Sequence, residues 1–322
     1  MNILITSAGR RVSLVRAFKK ELQLLDSRFK VIACDSEPNL SAACQVADAY
    51  FKVPRLNDTS YIDVLIKKCL EFNIGMLIPT IDTELLLLAN NKALLKINGI
   101  NAIVASPEFV VKCRNKRIIH DFFKSRNINV AHEYSKKEYQ LPLFIKPVDG
   151  SRSVDTYTIL KNEDLTDYHF SNNKLMFLEY LNHQEFEEYT CDLYYDKTHH
   201  LKCVVPRKRI EVRDGEVYKA LTMKNELVDY IKNRLNQIDG VIGCLTAQFF
   251  VHKTSLKIYG IEINPRFGGG FPLSYLAGAN FQQWLIKEYY KNEQIEDKFD
   301  CWESNLLMIR YDDEILVHNF DE

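Results

Sequence analysis

The sequence predicts an α/β Rossmann-like unit followed by an α+β unit built on antiparallel sheets. Two observations carry this expectation. Over the first hundred residues, short apolar runs alternate with segments of helical period. Beyond Ser106, longer strand-like runs follow one another across hairpin signals.

In the first unit, Asn2 to Thr6 is a short apolar run and Gly9 permits a sharp turn. Arg11 to Leu25 then repeats Val12, Val15, Ala17, Phe18, Leu22 and Leu25 at helical spacing. Lys30 to Cys34 reads as a second strand ending at Asp35. Tyr61 to Phe72 sets Ile62, Leu65, Ile66, Cys69 and Leu70 on one helical face, and Gly75 to Pro79 supplies the next strand. Asp82 to Leu95 reads as one further helix, stopped near Gly99, before a strand over Ile100 to Val104. This alternation implies a small parallel sheet with helices on both faces. Ser106-Pro107-Glu108 offers a capping residue, a proline at the first helical position and an acid in the first turn, so a new helix and a new unit begin there. Next come the strand-like runs PLFIKP, VDTYTIL, LMFLEY, EYTCDLYYD and HLKCVVPRKRIEV. The pair GCLTAQFFVHK and LKIYGIEIN ends the series, with turn signals at Asp196 to His199 and Asp214-Gly215.

A chain of 322 residues that is 46% hydrophobic and 26% charged has material for two or three packed units. Its formal charge of −1, with basic residues scattered, excludes an electrostatic footprint for nucleic acid or an anionic membrane. The opening MNILITSAGRR is a poor signal peptide, since its apolar run is short and Arg10 and Arg11 follow it. Eight cysteines lie far apart without a C-x-x-C pair, so they are expected as buried free thiols in a reducing cytosol. The expectation is a cytoplasmic protein. G-x-G-x-x-G is absent from the first unit, which argues against NAD.

The strongest chemistry lies between Cys244 and Pro265. Strand alternation sends Glu262 and Asn264 to one face, with Leu256, Ile258 and Gly260 expected on that face and Tyr259, Ile261 and Ile263 on the other. Folding the chain at His252 to Leu256 brings Gln248 opposite or next to Glu262. Oxygen ligands without Cys or His suit a hard cation: magnesium, with manganese as the alternative. Asn264 runs into Pro265-Arg266 and then Gly268-Gly269-Gly270, a cation-bearing turn suited to neutralising transferring phosphates.

The spaced quartet Gln248, Glu262, Asn264 and Arg266 resembles the metal-and-phosphate signature of the ATP-grasp superfamily, in its carbamoyl-phosphate synthetase large-subunit-like, carboxylate-amine ligase branch. The resemblance implies a pre-ATP-grasp domain over 1–106, a small lid subdomain over 107–182 and a large subdomain with the metal ligands over 183–322, the last two each with an antiparallel sheet. It also implies that Gln248, Glu262 and Asn264 hold magnesium and that Arg266 meets the phosphates or an acyl phosphate.

Lys146, in FIKPVDGSRS, ends an apolar strand and is followed by a turn of small residues that suits a phosphate lysine. Taken alone, Lys116 is a solvated helix charge; the resemblance makes it a second phosphate contact. The family's phosphate loop is richer in glycine than Gly150-Ser151-Arg152-Ser153, so this loop is either stiffer or lets Arg152 meet phosphate. Under the resemblance, Glu179 and Leu181 offer the adenine hinge and Glu188 the ribose acid. Arg207 and Arg209 are expected on one strand face with Glu211, and Lys208 on the other. The resemblance points that face at the γ-phosphate. Ser7, Gly9, Arg10 and Arg11 sit at a helix N-terminus that favours an anion. Asp82 either lines the same edge or simply caps its helix.

The implied activity is ATP-dependent ligation of a small acid to an amine. The alternatives are an enzyme phosphorylating carbamate-type acids, or a non-catalytic ATP-binding module. The expected partners are small-molecule acid and amine substrates, with neither nucleic acid nor membrane, and a homodimer is left open.

Overall fold

A computed structural model of the chain describes residues 1–150, 154–213 and 215–320. The first sheet is wholly parallel, in the order β3-β2-β1-β4-β5, with β1 Asn2–Thr6, β2 Val31–Asp35, β3 Ala49–Lys52, β4 Ile74–Pro79 and β5 Asn101–Ala102. Its helices are α1 Val12–Leu25, α2 Ala42–Val46, α3 Tyr61–Glu71, α4 Asp82–Asn90 and α5 Lys92–Ile97. Strand alternation divides the packing: Ile3 and Ile5 join the cluster under α1, whereas Leu4 joins the cluster under α3 and α4. Two expectations are corrected here, and one strand went unread. The helix read over Asp82 to Leu95 breaks at Asn91. The strand read over Ile100 to Val104 pairs only at Asn101–Ala102. The short, largely solvent-facing β3 carries too few apolar residues to announce itself.

Two helices follow, α6 Pro107–Arg114 and α7 Lys116–Ser125. Ser106 caps α6 by accepting from the Phe109 N–H at 3.3 Å, and Asn115 caps α7 by accepting from Arg117 and Ile118. A four-stranded antiparallel sheet comes next, ordered β6-β9-β7-β8, from β6 Glu133–Tyr134, β7 Leu143–Pro147, β8 Tyr157–Ile159 and β9 Leu175–Glu179, with the short α8 Asp167–Ser171 beside it. It has its own small core of Leu143, Ile145, Ile159, Leu175 and Phe177.

The third sheet has six strands in the order β14-β13-β10-β11-β12-β15. They are β10 Phe186–Tyr195, β11 Leu201–Arg213, β12 Glu216–Thr222, β13 Gly243–His252, β14 Ile258–Asn264 and β15 Leu307–Ile309, all antiparallel. Helices α9 Leu227–Arg234, α10 Phe271–Leu276 and α11 Phe281–Tyr290 accompany it. Its apolar side chains enter both clusters that cover the parallel sheet, so the N-terminal unit and the large sheet share cores. All eight cysteines are free; six are buried, but Cys113 is half-buried and Cys301 exposed, against the expectation of burial throughout. Among the described residues no helix is long and apolar enough to cross a membrane.

One close approach fixes α7 on the large sheet. A Cβ built on Gly260 of β14 would lie 2.6 Å from the Phe123 ring. Gly260→Ala is therefore expected to lower stability by about 1–3 kcal/mol through overpacking. Thermal unfolding tests this, and an unchanged melting temperature would mean that Phe123 turns aside freely.

Candidate active site

The candidate cleft is the region where α7, β7 and the β10-β13-β14 side of the large sheet come together and the charges of Lys116, Lys146, Glu188 and Glu262 act on one another. Gln248 of β13 stands directly opposite Glu262 of β14, and Thr246 opposite Asn264, as strand geometry predicts. The Asn264 amide donates to Glu262 Oε1 at 2.9 Å. One part of the expected alternation is wrong. The register shifts between Gln248 and Phe249, because Gly260 pairs with Phe249 while Glu262 pairs with Gln248, leaving Ile261 as an extra residue. This bulge puts Ile258, Gly260 and Ile263 on the core face and Glu262 and Asn264 on the cleft face.

Lys146, on β7, and Lys116, at the start of α7, are both buried. Burial pushes the Lys146 ammonium down to about 8, opposed mainly by the Glu262 charge. Burial also lowers Lys116, again with Glu262 as the largest opposing influence. Lys116 is thus no solvated helix charge; its Nζ donates to the Gly150 carbonyl at 2.6 Å. His120 follows one turn later and is buried too, its ring held down to about 4 by burial and then by the Lys146 charge. Ser151, Arg152 and Ser153 lie outside the described residues.

Glu179 ends β9 and receives the His132 N–H at 3.2 Å, while Leu181 beside it is buried. Glu188, on β10, is one of the charges acting on Lys146 and forms an ion pair with Arg209 of β11. Arg207 departs from the picture of an open strand face. It is fully buried, its Nε and Nη2 donating to Asp192 at 2.8 and 3.1 Å, and only Nη1 is left without a partner among the described residues. Asp192 also accepts from Ser274 at 2.6 Å and Thr246 at 3.3 Å. A register shift after Arg209 turns Glu211 away from the two arginines, and it pairs instead with Lys219 and Arg213.

Arg266 donates through Nη2 to Asp82 Oδ2 at 2.6 Å, linking the large sheet to the N-terminal unit. Asp82 is the first residue of α4, whose N-cap is Ile81, so the capping role fails and the Arg266 contact replaces it. Arg11 lies 3.9 Å from Glu216, which accepts from Arg310 at 3.0 Å. Burial, followed by the neighbouring Arg266 charge, lowers Arg11. Gly9 uses its N–H on Asp35 at 3.0 Å, and Ser7 donates to the buried Glu84 at 2.9 Å, so neither group is free for an anion; Arg10 is exposed. Sequence reasoning missed Arg310, Glu216, Asp192 and His120. Only His120 had a local signal, its position four residues after Lys116 on one helix.

Among the described residues no group of three or more His, Cys, Asp or Glu gathers to hold a metal. The candidate cation site is one carboxylate with two amides. That donor set fits a hard ion taking its other oxygens from water and phosphate, as magnesium does.

Residues 3–103 match the family described as PylC-like, N-terminal domain, and residues 171–305 match the family described as ATP-grasp in the biosynthetic pathway with Ter operon. The chain carries an ATP-grasp domain. No curated protein sequence matches it. Among solved structures, it resembles Rhizobium etli pyruvate carboxylase with a TM-score of 0.69 and 15% identity over 95% of this ATP-grasp chain, spanning only 30% of that protein. The biotin carboxylase domain of Hydrogenobacter thermophilus 2-oxoglutarate carboxylase, crystallised with MgADP, ADP and bicarbonate, gives a TM-score of 0.70 at 13% identity, with 95% and 73% of the two chains covered. L-amino acid ligase from Bacillus licheniformis gives 0.66 at 16% identity, with 90% and 74% covered. At these identities the likeness is one of fold.

Proposed function

We propose that this ATP-grasp protein is an ATP-dependent ligase that activates a small carboxylic acid as an acyl phosphate and transfers it to an amine. The observation that carries the reading is the meeting of two buried lysines, Lys116 and Lys146, around Glu262, which stands opposite Gln248 and beside Asn264. Buried cations without carboxylate partners of their own are costly unless an anion completes them, and a polyphosphate does so. The division into a substrate domain over 1–106, a lid over 107–182 and a metal-bearing subdomain over 183–322 belongs to the same reading.

Lys116 and Lys146, with the loop containing Ser151, Arg152 and Ser153, would hold the ATP phosphates. Glu179 and Leu181 would receive adenine, and Glu188 the ribose. Gln248, Glu262 and Asn264 would hold magnesium, or manganese, which would neutralise phosphate charge. Arg266 and Arg209 would draw charge from the γ-phosphoryl group as the carboxylate approaches, with Arg207 contributing through its unpartnered Nη1. Gly9, Arg10, Arg11 and Asp82 border the edge where the acid would dock. The carboxylate oxygen forms a bond to phosphorus, the bond to the ADP oxygen breaks, and the amine then displaces phosphate from the acyl carbon. Positioning and electrostatics suffice for such a transfer.

The test is phosphate release from MgATP across amino acids, other small acids and bicarbonate, with and without amines. Acid-dependent release is expected. Oxygen-18 in the carboxylate of the active acid should then appear in released phosphate, one atom per turnover. Phosphate without label, accompanying product, would refute the acyl phosphate.

A further inference from the structure

We propose that the acid substrate carries a second carboxylate besides the one that reacts, and that the Arg11 guanidinium fork holds it. This inference rests on the ligase reading above and names the class of acid.

Arg11, Arg266 and Arg310 meet Asp82 and Glu216 where the N-terminal unit faces the turn Gly268-Gly269-Gly270. Two of the arginines are occupied. Arg266 gives Nη2 to Asp82 Oδ2 at 2.6 Å and Nη1 to the Phe267 carbonyl at 3.2 Å, and its Nε is sealed from solvent without a partner among the described residues. Arg310 gives Nη1 to Glu216 Oε2 at 3.0 Å and Nη2 to the Gly269 carbonyl at 2.5 Å. Arg11 differs. Glu216 Oε1 stands 3.9 Å from its Nη1, beyond hydrogen-bonding reach. A Cβ on Gly269 would lie 2.9 Å from the same Nη1, so the glycine turn and Glu216 both crowd that atom. Nε and Nη2, a pair of parallel donors, have no partner among the described residues, and the side chain keeps 21% of its surface exposed. Such a pair matches the two oxygens of a carboxylate.

Charge points the same way. Asp82 and Glu216 are each answered by a hydrogen-bonded arginine, which leaves the Arg11 charge in excess, and a partly buried cation gains from an anion. The two carboxylates also confine that anion to the Nε and Nη2 edge, since they repel it elsewhere. The fork is set apart from the reacting centre: Gly269, which touches Arg11, lies five residues after the candidate ligand Asn264, with Arg266 between them in the chain. A carboxylate attacking phosphate at the cation site leaves Arg11 to a second anionic group a few carbons away in the same molecule.

The test supplies the full chain with MgATP, hydroxylamine in place of the amine, and acids in matched pairs: succinate with butyrate, glutarate with valerate, and L-glutamate with L-norvaline. The hydroxylamine nitrogen attacks the acyl carbon of an acyl phosphate, phosphate leaves, and the hydroxamate is measured by its colour with iron(III). At least one dicarboxylate is expected to exceed its partner by about tenfold or more in kcat/KM, because a site built around a polar group rejects the analogue lacking it. In Arg11→Met that preference is expected to fall to about twofold or less, whereas damage to the fold lowers both members of a pair alike and leaves the preference in place. Arg11→Lys, which keeps the charge without the fork, serves if the methionine variant does not fold, and is expected to lose most of the preference. Partners that react equally well, or a preference that survives in the variant, would overturn the inference and leave the ligase reading standing. Hydroxamate from none of the acids would sink the acyl-phosphate reading, and the inference with it.

Discussion

Replacing Glu262 with glutamine is expected to abolish MgATP turnover and to leave the fold standing. The substitution keeps shape, and Glu262 sits half-buried at a strand end where a neutral amide is tolerated. It removes the only carboxylate among the three candidate ligands, and it removes the negative charge that opposes the desolvation of Lys116 and Lys146. Support behind a metal ligand is worth about 10–100-fold, so loss of the anionic ligand itself should exceed about a hundredfold in kcat. Phosphate release measured beside a thermal melt decides the matter: turnover retained at the parent level would remove Glu262 from the site.

The second large effect is one of stability. Asp192→Ala would strip the buried Arg207 guanidinium of both its carboxylate bonds, and Ser274 and Thr246 of an acceptor. Leaving such a charge uncompensated costs about 3–5 kcal/mol. Asp192→Ala combined with Arg207→Met, which removes the stranded charge as well, is expected to be more stable than Asp192→Ala alone. Urea unfolding of the two variants measures the difference. A double variant no more stable than the single one would show that Arg207 does not depend on Asp192 for its burial.

Much of this molecule can be read from its sequence, and the failures share a cause. Period and capping chemistry located the first strands, α1, α3 and the start of α6, because those elements bury one face each and the pattern repeats over several turns. The hairpin of β13 and β14 was legible for the same reason, and with it the pairing of Gln248 and Glu262. What was illegible depended on single-residue irregularities or distant chain segments. Bulges beside Ile261 and after Arg209 reversed the expected faces of Gly260 and Glu211, and alternation alone carries no sign of an inserted residue. The Arg207 contact with Asp192 is a diagonal one across the β10-β11 hairpin, whose register the turn signal alone does not fix, whereas the ion pair between Arg266 and Asp82 is a product of packing between remote segments, as is the Glu216 contact with Arg11 and Arg310.

That last contact has a consequence in time. Arg310 follows β15, which pairs with β12 only after the chain has passed through the whole large sheet, and the Arg310 N–H is tied to the Tyr218 carbonyl at 3.0 Å. All five strands of the parallel sheet, and Arg11 with them, lie within the first 102 residues and are made first. Glu216 then meets Arg11 with no Arg310 opposite, until the final strand emerges. Arg310 is therefore the last member of the Arg11-Glu216-Arg310 cluster to be synthesised, and a nascent chain stalled before it lacks one of the two arginines that meet Glu216.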